Sequence, residues 1–376
     1  MSSSSTMKAW VVREERHGPP LEAMCIETVE RPVAGPGEVV VRVRAAGVNY
    51  NHIWSCLGQP VPLSKLNPKV SFHIGGSDAS GVVEQVGVGV KRWKVGDEVI
   101  THPLWACGEC GQCNGGDPLL CRERKAWGYE TSWGAFGEYA LLRSTQLLPK
   151  PKALSWEAAA AYSLKFFTAY RMLYVQLMLK PQDVVLIWGA AGGIGSYAIQ
   201  LCQAANARPV CVVSSDARRA FCHDLGADLI IDRRNYPKLA EGLDAEKELR
   251  RFRDGIRELT HGRDPDVVFE HTGKATFPAS VYVAAPQGKV VICGATTGYQ
   301  LSFDVRYLWT MQKQILGSHG TNIFEATAAQ RLIESGVIKP TLTRTFEFEQ
   351  AAEAHDLMWR NQAVGSWVIR FPESGL

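Results

Sequence analysis

Apolar positions along the chain change period once, and that change divides it. Through the first third they alternate in short runs: MKAWVVRE, AMCIETVERP and EVVVRVRAAGVN, parted by glycine and proline turns such as AGPGE. SGVVEQVGVGVKRWKVGDEVITH continues the pattern, with glycines at turn and bulge spacing. Such runs predict short strands, and strands of this kind predict a barrel-like β domain. Near Ser155 the character switches. SWEAAAAYSLKFFTAYRML opens on a serine N-cap and continues in an alanine-rich, helical composition. Strands and helices then take turns: VVLIWGA with GGIGSYAIQLCQAAN, PVCVVSS with DARRAFCHDLG, and the later strands DLIID, VVFEHTG, KVVICGA and QILGS. This alternation predicts an α/β fold with a doubly wound parallel sheet. After the helix EATAAQRLIESG, the tail ends in the alternating strand of GSWVIRF, which must find a sheet and is placed back on the first domain. The expected domains are therefore 1–157 with 325–376, and 158–324.

One turn carries cofactor chemistry. Gly189, Ala190, Gly192, Gly193, Ile194 and Gly195 lie in GAAGGIG, between the strand VVLIW and a helix. Glycines there let the backbone approach a pyrophosphate, and the helix start offers free N–H groups to it. The following strand ends Val212-Val213-Ser214-Ser215, with Arg218 and Arg219 just beyond. An NAD site usually places a carboxylate at that strand end. Two hydroxyls and two guanidinium groups suit a 2′-phosphate instead, so NADPH is expected over NADH. Asp216, the next residue, is suited to capping the helix.

Composition sharpens the picture at several points. Length suits two domains, since the chain has 376 residues. Basic and acidic residues number 41 and 38, a net charge of +3 that gives no reason to expect a nucleic-acid partner. No apolar run approaches the roughly 20 residues of a membrane span, and MSSSSTMKAW lacks an apolar signal core, so no membrane partner and a cytoplasmic location are expected. Ten cysteines are too few for a disulfide scaffold, but four are clustered. Cys107, Cys110, Cys113 and Cys121, in WACGECGQCNGGDPLLC, have the spacing of a closed tetrahedral thiolate shell, which predicts one structural zinc in a lobe at 105–123. The other six cysteines are expected to be core thiols. The charged stretch 232–262 reads as a solvated helix face, with a phosphate-facing lip as the alternative.

GVGVKRWKVGDEVITH, the cysteine lobe, GAAGGIG and the returning tail together resemble the medium-chain dehydrogenase/reductase superfamily. The resemblance implies a GroES-like β-barrel catalytic domain and a Rossmann domain, with the active site between them. It also marks where a catalytic zinc would be held. Those positions read Asn49, Ser77 and Leu164 here; an amide, a hydroxyl and an alkyl group make no ordinary zinc shell, and His52 and Asp78 nearby do not rebuild one. No catalytic zinc is expected.

NYNHIW, FHIGGSDASGVV, WGYETSWGAFGEYALL, QLLPKPKALSWEAAAAYS, RYLWTMQKQILGSH and KPTLTRTF, in order along the chain, resemble the crotonyl-CoA carboxylase/reductase group more narrowly. Two departures stand out, the added cysteine lobe and a shorter loop between Trp54 and His73. The resemblance implies NADPH-dependent reduction of a short-chain 2-enoyl-CoA thioester, of crotonyl-CoA or acrylyl-CoA type. Hydride goes to Cβ, and the enolate at Cα is quenched by a proton or, in a carboxylating enzyme, by CO2. It implies catalytic roles for Asn51, Tyr129, Glu130 and His319, with Tyr129 replacing a usual Phe. It also implies contact of Thr168 with the nicotinamide or its phosphates, and of Arg306 and Tyr307 with the acyl-CoA. A homodimer or homotetramer is expected. On residues alone each role has an ordinary alternative: a turn residue at Asn51, a capping carboxylate at Glu130, a loop histidine at His319, surface charge and core aromatic at Arg306 and Tyr307. The competing functions are a zinc alcohol dehydrogenase using His52 and Asp78, a quinone or enone reductase acting without CoA, and a non-catalytic NADPH-binding protein.

Overall fold

The computed structural model describes residues 5–66, 71–239 and 246–372. The chain divides into two compact units, Met1–Leu164 with Thr321–Leu376, and Lys165–Gly320. The apolar pattern alone places the two crossings at 157/158 and 324/325.

In the first unit the main sheet has seven strands among the described residues. Glu38–Gly47 is its hub. It pairs antiparallel with Ala79–Val86, with Tyr139–Arg143 and, through Ala45–Gly47, with the tail strand Ser366–Arg370. Leu342–Glu347 lies parallel to that tail strand, while Glu98–Thr101 and Leu147–Pro149 extend the other side. Most of Glu38–Gly47 is buried, because a strand paired in the middle of a sheet and covered by packing loses the half-exposed alternation of an edge. The core gathers Val39, Val41, Val43, Trp127, Phe136, Phe346 and Trp367. Trp10 ties the tail in, its indole N–H donating to the Phe348 carbonyl at 2.7 Å. The placement of the tail strand follows the sequence expectation.

SWEAAAAYSLKFFTAYRML departs from it by forming three pieces instead of one helix: Trp156–Ala160, Ser163–Tyr170 and a π-helical turn over Arg171–Gln176. Ser155 caps the first as expected, accepting the Ala158 N–H at 3.2 Å. The break has a polar cause. The buried Asp78 carboxylate accepts the Ser163 hydroxyl at 2.5 Å and the Leu164 N–H at 2.6 Å, so an acidic group satisfies a new helix start in mid-segment.

Among the described residues, the second unit holds six parallel strands in the order Leu229–Asp232, Arg208–Val213, Val184–Ile187, Val267–Glu270, Lys289–Ile292 and Gln314–Gly317. Leu186 pairs with Val210 on one side and Val268 on the other. In chain order this is 3-2-1-4-5-6, the Rossmann arrangement, which places ligands beyond the carboxyl ends of the strands where the order reverses. Lys289–Ile292 is interior; Leu229–Asp232 and Gln314–Gly317 are the two edges of the sheet. Within the charged stretch, the helix Glu246–Thr260 buries Leu249, Phe252 and Ile256 and pairs Arg250 with Glu246, Arg251 with Glu248 and Arg257 with Asp264; residues 240–245 of that stretch lie outside the described residues. Among the described residues no helix is long and apolar enough to cross a membrane.

Candidate active site

The glycine turn is built for close backbone approach. Gly189 has φ +54°, and a Cβ there would meet the His271 ring at 2.9 Å. A Cβ on Gly195 would lie 2.5 Å from the Gly189 carbonyl oxygen. Gly192 caps the helix Gly193–Ala204 without a side chain, Ile194 lies in the helix's first turn, and Ala190 is fully buried behind it. Beside the turn, Glu270 is buried at the end of its strand and accepts from Thr272 N, Gly273 N, Thr276 Oγ and Ser280 Oγ at 2.6 to 3.1 Å. His271, next in sequence, bonds the Trp188 carbonyl at 2.8 Å through Nε2.

At the end of Arg208–Val213, the half-buried Arg218 donates from Nη1 to Ser214 Oγ at 2.6 Å. Ser215 caps the helix Asp216–Asp224 by accepting the Arg218 N–H at 3.3 Å. The cap is therefore Ser215, while Asp216 is exposed, lies in the first helical turn and pairs with Arg234 at 2.5 Å. Arg219 is exposed on the same helix. A hydroxyl and a guanidinium at the strand end, with no carboxylate at Ser214 or Ser215, match the donor set a 2′-phosphate requires. Thr168 is buried in the helix Ser163–Tyr170.

In the first unit, the positions that would hold a catalytic zinc are bonded to neighbouring residues. Asn49 donates to Asp78 Oδ2 at 2.8 Å, while Asp78 Oδ1 takes Ser163 and Leu164 as above. Ser77 Oγ donates to the Trp127 carbonyl at 2.8 Å and accepts the Asn51 amide N–H at 2.7 Å. None of these donor sets offers a zinc a normal shell. His52 is sent elsewhere, its ring packed 4.9 Å from Phe136, 4.9 Å from His355 and 6.2 Å from His73. Burial drives its basicity well below that of an ordinary histidine.

Asn51 sits in the helix Tyr50–Leu57 rather than in a turn, and its Oδ1 is buried without a hydrogen-bond partner. Tyr129 donates its hydroxyl to the Gln59 carbonyl at 2.9 Å. Glu130 accepts the Ala126 N–H at 2.6 Å, the local capping bond that its residue type alone allows. His319 belongs to the second unit, two residues past the edge strand, and is exposed there. In the same unit Arg306 is exposed and paired with Asp304 at 2.6 Å, while Tyr307 packs edge-on against Tyr282. The sequence reading missed the role of Ser77, noticed only as a lost zinc ligand; its place beside Asn51 emerges only when the two are brought together across 26 residues.

The four lobe cysteines converge, with all four sulfurs within 4.8 Å of one another. Cys107 to Cys113 measures 3.8 Å and Cys110 to Cys113 3.6 Å. A zinc bound at about 2.3 Å by four thiolates separates them by about 3.8 Å, so the cluster fits that ion. N–H groups of Glu109 and Cys110 push the Cys107 thiol down to about 7, whereas burial and its neighbouring thiols push Cys113 up to about 12. A dication would remove that mutual repulsion. Of the six remaining cysteines, Cys56, Cys202, Cys211 and Cys222 are buried as expected; Cys25 and Cys293 are only partly so.

Residues 35–152 match the family described as alcohol dehydrogenase GroES-like domain, and residues 193–335 match zinc-binding dehydrogenase. Crotonyl-CoA carboxylase/reductase of Cereibacter sphaeroides is 46% identical, over 98% of this chain and 89% of its own length. Crotonyl-CoA reductase of Streptomyces collinus is 42% identical, over 96% and 85%. Among solved structures, the 2-octenoyl-CoA carboxylase reductase CinF in complex with NADP and 2-octenoyl-CoA superposes with a TM-score of 0.94 at 39% identity, covering 100% of this chain and 90% of that one. The crotonyl-CoA carboxylase/reductase AntE in complex with NADP gives 0.91 at 41%, over 98% and 95%. With a GroES-like domain, a 3-2-1-4-5-6 Rossmann sheet and this degree of identity over nearly the whole chain, the protein belongs to the medium-chain dehydrogenase/reductase superfamily and, within it, to the crotonyl-CoA carboxylase/reductase group.

Proposed function

We propose that this chain is an NADPH-dependent reductase of a short-chain 2-enoyl-CoA thioester, of crotonyl-CoA or acrylyl-CoA type, whose enolate is quenched by a proton or by CO2. The observation that carries the reading is the slot where related alcohol dehydrogenases would hold zinc. Here two of its positions are engaged in hydrogen bonds, Asn49 with Asp78 and Ser77 with Asn51 and Trp127, in a chain 46% identical to a crotonyl-CoA carboxylase/reductase. Such a site has no metal to polarise a carbonyl, so its substrate must bring its own activation, as a double bond conjugated to a thioester does.

NADPH, when bound, supplies the hydride that Cβ receives. Gly189, Gly192, Gly193 and Gly195, with Ala190 and Ile194, would hold its pyrophosphate; Ser214, Ser215, Arg218 and Arg219 its 2′-phosphate; and Thr168 its nicotinamide end. Arg306 and Tyr307 would hold the CoA. The remaining task is control of the enolate at Cα. Asn51 directs an amide at it, Tyr129 supplies a ring wall, Glu130 holds a water or histidine in place, and His319 orients or delivers a proton. Where CO2 takes the proton's place, the same groups would hold it and the product would be a dicarboxylic acyl-CoA. The cysteine lobe would carry one structural zinc. A homodimer or homotetramer, joined through the edge strand Gln314–Gly317, and a cytoplasmic location complete the proposal.

Purified protein is expected to oxidise NADPH with crotonyl-CoA or acrylyl-CoA and not with ethanol, acetaldehyde or simple quinones. NADPH consumption confined to free enones or quinones would replace the reading with that of a reductase acting without CoA.

A further inference from the structure

Asn51 is useful to an enolate only if its amide points one way, and the structure assigns that choice to Ser77. The Ser77 side chain is buried, at 1% exposure, between two groups. One is the Trp127 carbonyl, which can only accept. Trp127 is held rigidly: its N–H donates to the Pro103 carbonyl at 2.7 Å and its indole N–H is shared between the carbonyls of Trp133 and Leu141 at 3.1 and 3.0 Å. Gly128, next to it, lies so close to the Gly76 carbonyl that any Cβ would collide, which fixes the distance between the two backbones. The single Ser77 hydroxyl hydrogen therefore goes to Trp127, at 2.8 Å, and the oxygen can only accept from Asn51. A flipped amide would set two acceptors face to face. Nδ2 accordingly turns to Ser77, at 2.7 Å, keeping its second hydrogen over for an enolate or CO2 oxygen, while the buried Oδ1 has no hydrogen-bond partner.

We propose that Ser77 is a positioning residue: a hydrogen-bond chain ending on the Trp127 carbonyl locks the Asn51 amide in one of its two orientations, and so sets how the enolate is quenched. This rests on the reading of Asn51 given above. The test compares Ser77→Ala with Ser77→Thr, which keeps the hydroxyl, with Ser77→Cys standing in should the alanine variant not fold. Two readouts are taken. In protein labelled with 15N-asparagine, the Asn51 side-chain amide pair is followed by NMR. In parallel, turnover with NADPH and crotonyl-CoA and, with bicarbonate present, the ratio of carboxylated to protonated product are measured.

Ser77→Ala is expected to shift the amide pair and speed its hydrogen exchange, and to lower kcat, or the product ratio, roughly tenfold, the scale of one hydrogen bond. KM for NADPH should not move. Ser77→Thr should retain both signals, and Ser77→Ala should cost nothing further in an Asn51→Ala background. An unchanged amide signal in Ser77→Ala, or an equal loss in the Asn51→Ala background, overturns the proposal. Should the unaltered protein fail to reduce any enoyl-CoA, the functional reading falls, while the amide signal still decides whether Ser77 positions Asn51.

Discussion

Arg218→Ala isolates the phosphate-reading end of the second Rossmann strand. The guanidinium is half-buried, and Nη1 lies 2.6 Å from Ser214 Oγ. The helix it stands on keeps its cap, because Ser215 binds the backbone N–H of residue 218, which alanine also has. The substitution therefore removes a charged donor with little harm to the fold. A hydrogen bond to a charged group is worth about 1.5–3 kcal/mol. A half-exposed site is screened by water, so the lower part of the range applies, about 1.5–2 kcal/mol, which converts to a roughly 10- to 30-fold weaker Kd. Titrating protein fluorescence with NADPH and with NADH should show that loss for NADPH and almost none for NADH. Equal weakening of both, or unchanged NADPH affinity, would refute the assignment of Ser214 and Arg218 to a 2′-phosphate.

Acid should unfold the protein through its buried histidines. Burial depresses His73 and His102 to about 4, below an unfolded value near 6.5, so the unfolded chain binds the extra protons and stability is full above pH 6.5 and falls as pH drops toward 4. Between pH 7.5 and 5.0 each contributes a loss of about 2 kcal/mol, readable as a lower urea midpoint, and His73→Phe should flatten the profile. Metal analysis should find one zinc per chain; a chelator, or Cys110→Ser, should lower Tm, and two zincs per chain would revive the alcohol dehydrogenase reading. Arg306→Ala should raise KM for the acyl-CoA several-fold and leave kcat close to its original value, whereas an unchanged KM removes Arg306 from the substrate site.

Much of the fold was legible because period and punctuation report it directly. GAAGGIG after an apolar strand, and the tail strand that had to find a partner, both sit where the pattern placed them. The helix after Ser155 did not stay whole, since what breaks it is the carboxylate of Asp78, some 80 positions earlier, and no local signal announces that. The site was legible in the same uneven way. Its residue types came from a resemblance, and the absence of zinc ligands could be read from Asn49, Ser77 and Leu164. What those side chains bond to instead could not be read. That Asn51 leans on Ser77, and Ser77 on Trp127, is a contact between segments far apart in the chain, and such contacts come into being only with the folded sheet. His52 shows the converse: next to Asn51 in sequence, it points into an aromatic cluster instead.

Whether hydride reaches an activated alkene carbon is the claim beneath all of this. NADPH carrying deuterium at C4, incubated with crotonyl-CoA and 13C-bicarbonate, followed by mass spectrometry and NMR of the product, tests it most directly. Deuterium at Cβ of a saturated acyl-CoA, with or without a 13C-carboxylate at Cα, is the expected result; deuterium on an alcohol carbon formed from a carbonyl, with the double bond intact, would contradict it.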